Sequence, residues 1–230
     1  MPNTIGTLNE KSLHAALKQW YARPDDLIEV SVDGFTVDIV RGDLLIEIQT
    51  RNLSAIKRKL TTLVEQHPVR LVYPIAQEKW IVRQSKNGKR VLRFARRKSP
   101  KRGTVELAFE ELVSIPQLLA HSNFSLDVLL IQEEEVRRYD GTRNWRRKGW
   151  ATHERRLVQV VGQRLFETPK DMLALIPTTL PEPFTTTDLA EATGQPLWLA
   201  QKMAYCLREM GAITVVGKRG RGILYVRATA

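Results

Sequence analysis

Apolar and polar residues alternate with period two through three short segments between Leu27 and Thr50, separated by Asp33-Gly34 and Gly42-Asp43. The pattern predicts three antiparallel strands joined by two-residue turns. One face collects Ile28, Val30, Val32, Phe35, Val37, Ile39, Leu44, Ile46 and Ile48. The other collects Glu29, Ser31, Thr36, Asp38, Leu45, Glu47 and Gln49. With two-residue turns Glu29 falls opposite Asp38, and Asp38 opposite Glu47, so three carboxylates form a row across one face. Like charges facing each other destabilise a sheet, and a divalent metal is the obvious cation to relieve such a row.

Around this meander the periodicity predicts a helix over residues 8–22, with Leu13, Ala16, Leu17 and Trp20 on one face. A second helix, capped by Asn52, runs from Leu53 to about Gln66 and stops at Pro68. Strands follow at Val69–Ile75, Lys79–Arg83 and Arg90–Arg96, the last two joined by an Asn87-Gly88 turn. A helix from about Val105 to Ala120 and a strand from Leu126 to Ile131 complete a first domain, residues 1–135. Residues 136–168 read as a basic connector ending in a helix, since Leu157 to Phe166 has a helical look. Pro169, Pro177, Pro181 and Pro183 then punctuate the chain. In residues 169–230, Thr185-x-x-Asp188 opens a short helix, and Pro196 precedes a longer one over 197–210. After Gly211 come two strands around a basic, glycine-rich tip. The fold class is α/β, of the α+β kind.

Charge adds a partner. The 230 residues carry a net charge of +11 and a pI near 10.0, and the basic residues cluster, which favours nucleic acid over mere solubility. The single cysteine, Cys206, sits on an apolar helix face and excludes an internal disulfide. With no signal-peptide pattern and no apolar run long enough for a membrane, the expected location is the cytoplasm, with no membrane partner. His14, His67, His121 and His153 are dispersed, and no phosphate-binding glycine loop, nucleophile elbow or zinc signature is present. These absences argue against an ATPase, a serine hydrolase or a zinc enzyme.

The order helix, three-strand meander, helix, strand over residues 8–75 resembles the core of the PD-(D/E)XK nuclease superfamily, a restriction-endonuclease-like αβββαβ core. The family pattern is Asp on the second strand and Glu-x-Lys on the third; here Asp38 and Glu47 fit, and Gln49 replaces the lysine. The resemblance implies a Mg²⁺- or Mn²⁺-dependent DNA phosphodiesterase. In it Asp38 and Glu47 hold the metal, Gln49 positions the attacking water, and Lys57 or Lys59 supplies the missing charge. Some members carry a further metal-binding glutamate on the first helix. Glu10 occupies such a position, although Thr7-x-x-Glu10 also reads as a capping box. Residues 169–230 resemble a small winged-helix domain, whose 197–210 helix would enter a major groove. The alternative is a non-catalytic DNA-binding or regulatory protein on a nuclease core that has lost its lysine.

Three basic groups are candidates for nucleic acid. Arg93, Arg96, Arg97, Lys98, Lys101 and Arg102 lie in an acid-free stretch suited to gripping phosphates. Arg146, Arg147 and Lys148 lie between Trp145 and Trp150. Trp198, Gln201, Lys202, Tyr205 and Arg208 form the outer face of the 197–210 helix, with Lys218, Arg219 and Arg221 on the wing tip. Nothing in the sequence fixes the oligomeric state, and a homodimer stays open.

Overall fold

The computed structural model describes residues 12–85, 91–139, 141 and 149–228; the side chains of 91–95 lie outside that description. The protein is mixed α/β, with one large mixed sheet, a separate hairpin and helices. Among the described residues no helix is long and apolar enough to cross a membrane.

The chain opens with α1 (Ser12–Tyr21), followed by β1 (Leu27–Val32), β2 (Phe35–Arg41) and β3 (Leu44–Ile48). These strands pair antiparallel through the two predicted turns, with Gly34 and Gly42 at positive φ. A 3₁₀ turn over Leu53–Ile56 leads into α2 (Lys57–Leu63). Asn52 precedes it in the left-handed region, φ 57°, and makes no side-chain cap. The crossover returns to β4 (Val69–Gln84), whose first residues pair parallel with β3 from Leu45↔Val69 to Ile48↔Val72. Further along, β4 pairs antiparallel with β5 (Val91–Lys98). Two more long strands, β6 (Phe124–Tyr139) and β7 (Trp150–Phe166), complete a seven-stranded sheet of order β1-β2-β3-β4-β6-β7, with β5 attached to β4.

Several sequence expectations change here. Val69–Ile75 and Lys79–Arg83 are one 16-residue strand, because the intervening residues continue the extended backbone. The span Leu157–Phe166 is part of β7, which pairs beside β6, and not a helix. Residues 105–120 break into a 3₁₀ turn (Val105–Ala108), the single turn α3 (Phe109–Leu112) and another 3₁₀ turn (Leu118–Ala120). The Asn87-Gly88 turn lies outside the described residues.

The chain forms two compact units, with the division falling inside β4, β6 and β7. The first comprises residues 1–25, 74–104 and 129–163. Buried carboxylates pair with cations inside it. Glu133 meets Lys79 at 2.9 Å and Arg155 at 2.6 Å, while Glu135 meets Arg137 at 2.7 Å and the Thr152 hydroxyl at 2.6 Å. Removing one partner would leave a buried carboxylate short of its compensation.

The second comprises residues 26–73, 105–128 and 164–230. Ile39, Ile46, Ile48, Leu60, Leu63 and Phe109 are fully buried in it. Its last third holds α4 (Pro169–Leu173), α5 (Thr186–Thr193), α6 (Leu197–Glu209) and the antiparallel hairpin β8 (Ile213–Arg219) and β9 (Gly222–Arg227). Thr185 and Asp188 form the predicted capping box of α5, and Gly194, φ 64°, ends that helix. Phe184 bridges antiparallel to Tyr225 of β9. Ala200, Met203, Ala204, Leu207 and Met210 are buried as the helical period requires. Cys206 is buried with them, and burial pushes its thiol up to about 12, so it is unreactive.

Burial pushes the Glu135 carboxyl up, but the hydrogen bonds from Arg137 and Thr152, with the charges of Arg137 and Lys79, outweigh it and hold the group at about 2 against an ordinary 4.5. A depressed folded-state value stabilises the protein above the unfolded value and loses that contribution as the pH falls. Acid titration of unfolding should therefore show stability declining between about pH 4.5 and pH 2, and Glu135→Gln should flatten that part of the curve.

Candidate functional site

The site grows from the point where the β2–β3 ladder stops. Its rungs run from Arg41↔Leu44 to Ile39↔Ile46. One step further the register sets Asp38 opposite Glu47, and there the Asp38 side chain replaces the backbone acceptor. Its Oδ2 accepts the Ile48 N–H at 2.8 Å. The Asp38 carboxylate is thus held against the backbone immediately after Glu47.

Glu47 is 8% exposed. Leu45, two residues earlier on the same face, is buried as well. The face read from sequence as polar is therefore covered at β3. Lys59 of α2 reaches Glu47, its ammonium pairing with Oε2 while also donating to the Thr36 carbonyl at 2.6 Å. Lys57 is exposed. Two residues along a helix is a rotation of about 200°, so a helix that turns Lys59 to the sheet turns Lys57 away. Lys59, not Lys57, is the cation at the carboxylates.

Gln49 points its carboxamide into the loop after β3. Its Nε2 donates to the carbonyls of Arg51 at 2.8 Å and Asn52 at 3.3 Å. The Leu53 N–H at the end of that loop is taken by Glu111 Oε2 of α3 at 3.0 Å, a link the sequence does not announce.

The β1–β2 ladder runs in one register from Ile28↔Ile39 to Val30↔Val37, so Glu29 stays level with Asp38, but at a φ of 55° its backbone departs from the extended form. In this edge strand Leu27 and Ile28 are 60% and 46% exposed, so Ile28 does not join the buried apolar face. Among the described residues no cluster of three or more acids, histidines or cysteines could hold a metal. Glu10 and Thr7 lie outside the described residues. What remains is a two-carboxylate set of hard oxygen donors, Asp38 and Glu47. Mg²⁺ commonly takes one or two carboxylates and keeps its waters, so these donors fit it.

The basic stretch lies in the first compact unit, and Asp38 and Glu47 lie in the second. Arg96 and Lys98 project from β5 over the Trp80 ring, 4.9 and 5.4 Å from its centroid. Arg96 also pairs with Glu134 at 2.7 Å, and Glu78 takes both Lys98 at 2.7 Å and Arg102 at 2.5 Å. The hydrogen bonds from Lys98 and Arg102 hold the Glu78 carboxyl below its ordinary range. Three of the cations are thus compensated by strand neighbours, while Arg97 and Lys101 are exposed. Sequence reading missed Trp80, Glu78 and Glu134; the pairing of β4 with β5 and β6, which brings them under the cations, was the missing information. Arg93, as a side chain, and Arg146, Arg147 and Lys148 lie outside the described residues.

On α6, Trp198, Gln201 and Tyr205 are exposed. Lys202 instead turns to the Glu110 carbonyl, 3.4 Å away, and Arg208 forks onto Glu209 at 2.6 Å. At the tip of the β8–β9 hairpin Arg219 pairs with Asp188 at 2.6 Å, and Lys218 and Arg221 are exposed.

The family model described as Domain of unknown function (DUF8091) matches residues 11–167. An "Uncharacterized protein" of Treponema pallidum (strain Nichols) is 31% identical over 223 residues, which is 96% of this chain and 87% of that one. No solved structure matches.

Two stability experiments follow from this geometry. Lys59→Met strands a buried carboxylate and should cost about 1–3 kcal/mol, and adding Glu47→Gln should recover much of the loss in a double-mutant cycle by urea unfolding. At Gly103, whose N–H donates to the Ala76 carbonyl at 3.0 Å, an added Cβ would meet that carbonyl oxygen at 2.5 Å. Gly103→Ala should thus lower stability by about 1–3 kcal/mol in the same measurement, by prising the basic loop off β4.

Proposed function

The chain belongs to the DUF8091 family, a membership that assigns no activity, and from its residues we propose a metal-dependent DNA phosphodiesterase with a winged-helix DNA-binding region. The observation that carries this reading is the Asp38–Glu47–Lys59 constellation. Two carboxylates from adjacent strands share one face, one latched to the backbone beside the other, with a lysine ammonium on the second. Asp38 and Glu47 would hold Mg²⁺ or Mn²⁺. Bound there, the ion would acidify a coordinated water and steady charge on the phosphate.

The chain's own groups do the rest. Lys59 supplies the charge that Gln49 lacks at the family's lysine position, reaching the acids from a helix instead of from β3. Its second anchor, the Thr36 carbonyl, holds the ammonium at the sheet face. Gln49 shapes the loop beside the carboxylates through its bonds to Arg51 and Asn52. Arg97 and Lys101, both exposed, are available to phosphates in their unit. The order α4, Phe184, α5, α6, β8, β9, with Phe184 bridged to β9, supports the winged-helix reading of residues 169–230.

The second reading, a DNA-binding or regulatory protein on a non-catalytic core, is favoured by the same lysine seen another way. Lys59 already neutralises Glu47, and no lysine follows on β3. Supercoiled and branched DNA incubated with Mg²⁺ or Mn²⁺ separates the two. The enzyme reading expects metal-dependent nicking that disappears in Asp38→Ala and Glu47→Ala and drops about 10²–10³-fold in Lys59→Met, an electrostatic loss. Calorimetry should show Mn²⁺ binding tighter in Lys59→Met, because an internal competitor for Glu47 is gone. DNA binding with neither nicking nor metal uptake leaves the second reading standing.

A further inference from the structure

The outer face of α6 has the wrong chemistry for reading a duplex and the right chemistry for unpaired bases. Trp198 and Tyr205 are 45% and 39% exposed. Seven residues of helix separate them, about 10.5 Å of rise, and return to within about 20° of the same line. The two rings therefore stand in one row along the helix, with Gln201 between them.

The cations of this face serve the rings. Lys202 Nζ lies 5.5 Å from the Trp198 ring centroid, and the Arg208 guanidinium lies 5.5 Å from that of Tyr205. Both are also tied to the protein, Lys202 to the Glu110 carbonyl and Arg208 to Glu209. Duplex readout in the major groove needs free donors and acceptors that match base edges. Here Lys202 and Arg208 already hold partners within the protein, and the face offers chiefly two aromatic rings, one amide and the apolar Leu197. Rings flanked by cations stack on bases without regard to sequence, provided the bases are unstacked from a duplex. Charge complementarity favours a polyanion over an apolar protein surface, since Lys218 near the end of β8 and Arg221 on the β8–β9 turn are exposed and the chain carries +11 overall.

We propose that the outer face of α6 binds unpaired nucleotides of a single-stranded or branched nucleic acid, stacking bases on Trp198 and Tyr205. A single strand advances about 3.4 Å per stacked base, so the two rings bracket about three base steps. The inference rests on the nucleic-acid reading above and specifies its substrate class.

The test uses the full chain in EDTA, which silences any cleavage, with fluorescence anisotropy on labelled (dT)15 and on a blunt 15-base-pair duplex. Wild type should bind (dT)15 more tightly than the duplex. Trp198→Ala and Tyr205→Ala should each weaken (dT)15 binding about 10-fold, with duplex affinity changed less than about 3-fold. Trp198→Phe keeps a ring and should restore most of the loss. Equal losses on both probes, or undiminished (dT)15 binding by Trp198→Ala, overturn the stacking proposal alone. If wild type binds neither probe, the proposal falls together with the nucleic-acid reading. Ring-dependent (dT)15 binding by a protein that never nicks DNA upholds it and removes only the nuclease.

Discussion

A carboxylate taken out of water inside a sheet must find a cation or stay protonated, and Glu47 finds Lys59. Much of the second unit's local geometry follows from that pair. It orients α2, since one face of that helix must bring Lys59 to β3 while Leu60 and Leu63 go to the core. It closes the β3–α2–β4 crossover over a face that would otherwise be polar and open. It also lets Asp38 sit beside Glu47, because the ammonium meets part of the charge of the pair. A hydrophobic pair could fill the same volume at similar stability. Keeping two acids and a lysine there instead is what gives the site chemical capacity.

The first unit obeys the same rule with a different outcome. Glu133 and Glu135 are buried on β6, but Lys79, Arg137 and Arg155 surround them with fixed partners, and Thr152 adds a hydrogen bond. Paired this closely, such a network specifies strand register and has little to offer a ligand. The contrast with Asp38 and Glu47 is one of stoichiometry. In one place three cations meet two acids; in the other Lys59 pairs with one of the two acids, and a backbone N–H holds the other.

Part of this was written in the local pattern. The two turns of the β1–β3 meander, the capping box at Thr185 and Asp188, and the buried stripe of α6 depend on neighbours within a few residues, and they appear where the pattern sets them. The long strands were legible only in pieces: segments of β4, β5 and β6 were read as strands, but not their full lengths. In β7, Leu157 to Phe166 carries spaced apolar residues that suit a helix as well as a strand, and only pairing with β6 decides between them. The basic stretch shows the same limit. Its lack of acids in sequence suggested free cations, yet Glu78 and Glu134 arrive from β4 and β6 to pair with Lys98, Arg102 and Arg96.

The amino-acid sequence by itself determined the meander, its acid face and the residue types available there, because period-two alternation and glycine turns act through adjacent bonds and side chains. Tertiary structure decided which acids meet and what accompanies them. At Glu29 the backbone takes a left-handed φ that alternation along the strand does not predict. Lys59 displaced Lys57 because one helix, once packed, can turn only one of two residues about 200° apart toward a sheet. Such choices depend on how separate elements are rotated against each other, and a period read along one chain does not contain that angle.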